Sequence, residues 1–178
     1  EQDHFLAVRT LSRRLTEEGR FEDARKLCRE VLPQLAFDRQ RQELILAMGE
    51  QAYAAGEAYA ARRSPREANK WLASADRDFS RYLADYGQSS SSARVFLRRG
   101  ELRLRHGQLV LAAGDGTPSE QVAATARKLA ADGVNDLKSA VAREHATDAL
   151  RYDAMLALAR HYRRQAEQYQ RAAEWLAR

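Results

Sequence analysis

The stretch Gly19-Arg20-Phe21-Glu22-Asp23-Ala24 separates two segments whose apolar residues recur with a helical period, and it constrains the fold more than any other feature of the chain. Upstream, Phe5, Val8, Leu11 and Leu15 draw an apolar stripe down one face of a helix predicted over 3–18. Gly19 ends that helix, because a residue without Cβ enters positive φ without steric penalty. Phe21 opens a second helix in which Ala24, Leu27, Cys28, Val31 and Leu35 keep phase, and Pro33 kinks or ends it by removing a backbone donor. Two striped helices joined by so short a turn bury their stripes against each other. The expectation is a fold of stacked helix pairs.

Composition agrees. Only 3 Pro and 9 Gly interrupt 178 residues rich in Ala, Leu, Arg, Glu and Gln, so an all-α chain is expected. The 30 basic residues, nearly all Arg, exceed the 25 acidic ones by a modest +5, which suits solvated helix faces with room for an anionic partner. Cys28 is the single cysteine, which excludes an intrachain disulfide and a cysteine-based metal cluster. No apolar run approaches the ~18 residues of a transmembrane helix, so no membrane span is expected. The first residue is Glu1 rather than Met, which leads to the expectation of a processed form or a piece of a longer array.

Downstream the same grammar continues with other punctuation. A helix is predicted over 39–62, with Ile45, Met48, Ala52, Ala55 and Tyr59 on one face and Gly49 and Gly56 marking close contact with a neighbour. Ser64-Pro65-Arg66-Glu67 reads as a capping box for a helix striped by Leu72, Ala75, Phe79, Tyr82, Leu83 and Tyr86. Gly87 and the serines 89–92 close it. Ser91 or Ser92 then caps a helix carrying Val95, Phe96, Leu97, Leu102 and Leu104, with Gly100 at a small-residue position. Gly107 resembles another inter-helix glycine, although the helix runs on towards Ala113. Gly114-Asp115-Gly116 is the clearest break. Thr117-Pro118-Ser119-Glu120 repeats the capping logic before Val122, Ala126, Leu129, Ala130, Leu137 and Val141, with Gly133 at the buried phase. From Thr147 onwards Met155, Leu158, Ala159, Tyr162, Ala166, Tyr169, Ala173 and Leu176 hold one phase, which fits one helix of about 45 Å at ~1.5 Å per residue. A hairpin bend near 162–165 is the alternative.

Residues 5–36 resemble one tetratricopeptide repeat: Leu11 on the first helix, Gly19 and Phe21 at the turn, Ala24 where the pair touches, and Cys28 and Val31 on the second helix. A small residue at Ala24 lets antiparallel helices approach while Phe21 plugs the end of their interface. Ser12 stands where the family has Gly or Ala. The resemblance implies antiparallel helix pairs stacked into a right-handed α-solenoid of seven or eight helices, a single domain over 1–178 that is a fragment of a longer array. It implies a non-enzymatic scaffold that binds a protein or peptide on its concave face or, alternatively, a structural segment of a larger assembly that stacks on further repeats or subunits. The segment 79–89 followed by Ala93 is similar to repeat junctions of tetratricopeptide proteins in bacterial cell envelopes, which implies a periplasmic or envelope setting over a cytoplasmic one. A bend at 162–165 is also what this family leads one to expect.

Signatures of chemistry are sparse. His4, His106, His145 and His161 have no second ligand at metal spacing, and Glu144-His145 followed by Asp148 is the nearest approach to a cluster. The 114–118 segment is glycine-rich but lacks the Gly-Lys-Ser/Thr of a phosphate cradle and the strand of a dinucleotide turn. No nucleophile elbow or paired-acid signature is present. The reading is no enzyme, no cofactor and no metal.

One helix stands out. Over 93–107 it carries Arg94, Arg98, Arg99, Arg103 and Arg105 against Glu101 alone, with Arg94, Arg98 and Arg105 on one stripe. The tetratricopeptide resemblance implies that first-helix residues line the groove and that two basic positions four apart grip a partner's carboxylate. Arg94 and Arg98 match those positions. Arg9 and Arg13 fill the comparable upstream positions, where the family's asparagines would complete that grip. Arg9, Arg13, Arg94, Arg98 and Arg105 are therefore the candidate partner-binding residues, facing an acidic peptide or protein. The small net charge and the lack of interleaved exposed aromatics argue against nucleic acid.

Overall fold

The computed structural model describes residues 2–113 and 117–176, and every described element is helical. Seven α-helices follow one another: α1 (Gln2–Glu17), α2 (Phe21–Val31), α3 (Asp38–Ala61), α4 (Pro65–Tyr86), α5 (Ser92–Ala112), α6 (Glu120–Ala142) and α7 (Asp148–Leu176), with a 3-10 turn over Leu32–Gln34. Gly19 ends α1 at φ 77°, as a chain reversal without Cβ allows. Pro33 sits within the 3-10 turn that terminates α2. Gly114–Gly116 lies outside the described residues.

Each helix packs on its sequence neighbours, and α1, α3, α5 and α7 also touch one another in succession. Gly49 faces Phe79 and Gly56 faces Leu72, so position numbers rise on α3 as they fall on α4 and the two run antiparallel. Gly107 against Ala126 and Gly100 against Gly133 and Leu137 give α5 and α6 the same relation. Phe21 lies against Tyr59 and Trp71, ring centroids 6.4 and 6.0 Å apart, and so seals the end of the α2/α3/α4 junction.

Two apolar clusters form the interior. The larger runs from Phe5 and Val8 through Leu44, Leu72 and Phe79 to Val95 and Leu102. The smaller joins Leu97 of α5 to Leu137 and Ala140 of α6 and Ala154 of α7. Helix α5 contributes to both and links them.

Several local expectations are corrected. Leu11 is 49% exposed and Ser12 is 1% exposed, so the buried row of α1 is Phe5, Val8, Ser12 and Leu15. A serine serves there because its hydroxyl bonds the Arg9 carbonyl at 3.1 Å, leaving no orphaned polar atom. Ser64 and Ser91 precede their helices without a side-chain cap bond, so the 64–67 capping box is not formed. Arg63, at φ 57°, makes the α3/α4 turn in the left-handed region that glycine usually fills. Ser119, not Thr117, caps α6 by accepting from the Val122 amide at 3.3 Å. Helix α7 is continuous, without a bend at 162–165. Its buried row is offset from the expected one: Ala154 is fully buried while Met155 and Tyr162 are 58% and 48% exposed. The side chains of Tyr169, Ala173 and Leu176 lie outside the described residues.

Candidate partner-binding face

On α3, Glu43, Glu50 and Glu57 recur every seven residues, and that interval returns to nearly the same helical face. The glutamate row is met by arginines from both flanking odd-numbered helices. Arg9 of α1 reaches Glu43 at 2.5 Å, Arg94 of α5 reaches Glu50 at 2.6 Å, and Arg105 of α5 reaches Glu57 at 2.9 Å. The last two pairs advance together along both helices, so α3 and α5 run parallel. Arg98 pairs within α5 to Glu101 at 3.0 Å, and Arg13 pairs within α1 to Glu17 at 3.7 Å with both side chains largely exposed.

All five predicted arginines therefore lie on α1 and α5, and each already has a carboxylate of its own chain. Exposed pairs of this kind contribute about 0–1 kcal/mol each and exchange readily. Their chief effect is on the field: the face presents matched charges instead of a cationic strip. Beside the row, Tyr53 has its phenol pushed up to about 12 by burial and then by the Glu57 and Glu101 carboxylates. It stays a neutral hydroxyl. Between α1 and α3 a groove of 350 Å³ opens, with Leu6, Thr10, Arg13 and Thr16 on one side and Ala47 and Glu50 on the other. Leu6, 49% exposed, supplies its apolar contact.

Arg99 and Arg103 leave this face and turn inwards. Arg99 holds Asp136 of α6 in a two-bond fork at 2.9 and 2.7 Å and donates to Ser80 of α4 at 3.0 Å. Arg103 bonds Asp76 of α4 at 2.6 Å and Asp136 at 2.9 Å. A comparable clamp lies across the same stretch of α4, where buried Arg25 of α2 donates to the Met48 carbonyl at 3.0 Å and to Asp78 at 2.6 Å and lies over the Trp71 ring. Neither clamp follows from a count of charges along the chain. The available signal was phase: Arg25 stands in register with Phe21 and Cys28, and Asp136 stands next to Leu137 and one turn before Ala140. The seven-residue spacing of Glu43, Glu50 and Glu57 is a signal of the same kind.

Cys28 is buried on α2 near Ser12 and Gln51, and burial pushes its thiol pKa up, away from reactivity. Among the described residues, no group of three or more His, Cys, Asp and Glu side chains is placed to hold a metal ion. No described helix is long and apolar enough to cross a membrane. Compared with protein-family models, curated proteins and solved structures, the chain matches none.

Proposed function

We propose that this chain is a non-enzymatic interaction scaffold built as a tetratricopeptide-like right-handed α-solenoid, in which the pairs α1/α2, α3/α4 and α5/α6 stack and the odd-numbered helices form the concave, partner-binding face. The observation that carries this reading is the glutamate row of α3 bridged to arginines of α1 and α5, which ties the odd-numbered helices into one surface beside an open groove. Because charges there are matched, the partner that fits is a mixed-polarity segment with an apolar side chain against Leu6, rather than a purely acidic tail. Exchange of exposed ion pairs lets such a segment compete for Arg13 and Arg9 at small cost.

The test uses Leu6→Glu with Arg13→Glu, both at exposed positions on the groove rim. A crosslinking pull-down with the wild type as bait is expected to return a reproducible partner that the double variant loses while its helicity stays unchanged. Capture that survives the double variant would remove the groove from the account.

A second reading rests on α7, whose outer face exposes Tyr152, Met155 and Tyr162 at helical spacing. Such a stripe suits stacking on a further repeat or subunit, making the chain a segment of a larger assembly. Sedimentation of the same bait separates the two, since a strictly monomeric chain at high concentration disfavours self-stacking through α7.

A further inference from the structure

The opposite side of α3 carries a different kind of surface. Arg41, Ile45 and Met48 share a row about half a turn away from the glutamate row, and they floor a groove of 690 Å³ walled by α2 and α4. Five guanidinium groups line it, those of Arg25, Arg29, Arg41, Arg77 and Arg81, against the two carboxylates of Asp78 and Asp85. Here the charges are not matched.

The five arginines differ in how they are engaged. Arg25 is 3% exposed and committed to Asp78 and the Met48 carbonyl, so it belongs to the fold. Arg41 donates its Nε to the Leu35 carbonyl at 2.8 Å and lies 3.7 Å from Asp38. Arg81 is mostly exposed and pairs loosely with Asp85 at 3.6 Å. Arg29 on the α2 wall and Arg77 on the α4 wall are exposed and have no carboxylate partner among the described residues. Two uncommitted cations thus stand on the two walls, and Leu32, Pro33 and Tyr86 also line the groove.

We propose that this groove is a docking site for an acidic segment of a protein partner, with separate carboxylates of that segment held by Arg29 and Arg77. Charge complementarity chooses the occupant. Guanidinium forks recognise carboxylates in a bidentate manner and are weakly hydrated, so they bind them well at a partly sheltered surface. A compact polyanion needs cations that converge, and the carboxylates of Asp78 and Asp85 that also line this groove oppose it. An extended chain with spaced carboxylates reaches both walls, avoids the aspartates, and lays apolar atoms against Leu32, Pro33 and Tyr86. The site is separate from the groove between α1 and α3 and does not depend on it.

The test measures binding of a short fluorescein-labelled peptide of alternating Glu and Ala to the full chain by anisotropy. Saturable, salt-sensitive binding is expected, weakened about tenfold or more by Arg29→Glu with Arg77→Glu. Arg14→Glu with Arg66→Glu makes the same change in net charge at other exposed positions and is expected to leave affinity within about twofold. The Leu6→Glu/Arg13→Glu variant should also bind the peptide nearly normally, which keeps the two sites distinguishable. Circular dichroism checks each fold, and Arg29→Gln with Arg77→Gln repeats the test without charge reversal. The proposal is overturned if the wild type fails to bind or if both charge-reversal pairs lose affinity equally. It is also overturned if inorganic pyrophosphate binds the wild type more tightly than the peptide and loses that binding in the Arg29/Arg77 variants.

Discussion

Asp136 shows how much one side chain carries in this molecule. It is 4% exposed and receives Arg99 and Arg103 together, while Arg103 passes on to Asp76 and Arg99 to Ser80. A buried pair is a weak source of net stability, yet removing one partner strands the other charge at a cost of about 3–5 kcal/mol. Asp136→Ala leaves Arg99 with Ser80 but no carboxylate and Arg103 with Asp76 alone, and is therefore expected to lose about 3 kcal/mol, the lower end of that range, in urea denaturation. Asp136→Asn should lose less, since its carbonyl still accepts one bond. A loss below about 1 kcal/mol for the alanine variant would show that α4, α5 and α6 do not depend on the clamp. At this scale the sequence was only half legible. Arg99 and Arg103 look like their neighbours Arg98 and Arg105 in a charge count, and only the positions of Asp76 and Asp136, 27 and 33 residues from Arg103, reveal that they point inwards.

Between elements, helix pairs are set by where backbones come close. Gly100 and Gly133 face each other so tightly that a Cβ on either would meet the other's carbonyl oxygen at 2.9 Å. A backbone atom cannot rotate aside, so Gly133→Ala must push α5 and α6 apart. Alanine gains about 1 kcal/mol of helix propensity over glycine, while overpacking costs about 1–3 kcal/mol. A net loss is expected, read as a lower urea midpoint with an unchanged slope, and a higher midpoint would show that the two helices have room to spare. Gly100 and Gly133 were legible as small-residue positions from their apolar phase. Leu11 and Met155 were misread because a stripe of period 3.6 admits two adjacent phases, and only a neighbouring helix selects between them. Ser12 shows the converse, since a local backbone bond lets a polar residue occupy the buried phase.

For the whole molecule, pH acts through two imidazoles. Burial pushes the His106 pKa down despite the nearby Asp76, and burial followed by Arg164 does the same for His161. The Nδ1 of His106 is buried without a partner. The unfolded chain takes up protons on both rings as pH falls through the ordinary value of 6.5, and the folded chain resists. Stability is therefore full above that pH and declines below it. Thermal melts at about pH 7.5 and about pH 5.5 should show this fall, and His106→Gln with His161→Gln should flatten it. An equal fall in the double variant would assign the effect to other groups. Sequence by itself determined the all-helical class, the turn at Gly19 and the spacing of the helices, because helical periodicity, glycine and proline act over a few residues. Tertiary structure alone decided which arginines face solvent. Guanidinium groups are chemically equal along the chain, and only the packing of α3 between its neighbours matches charges on one side of that helix and leaves Arg29 and Arg77 uncommitted on the other.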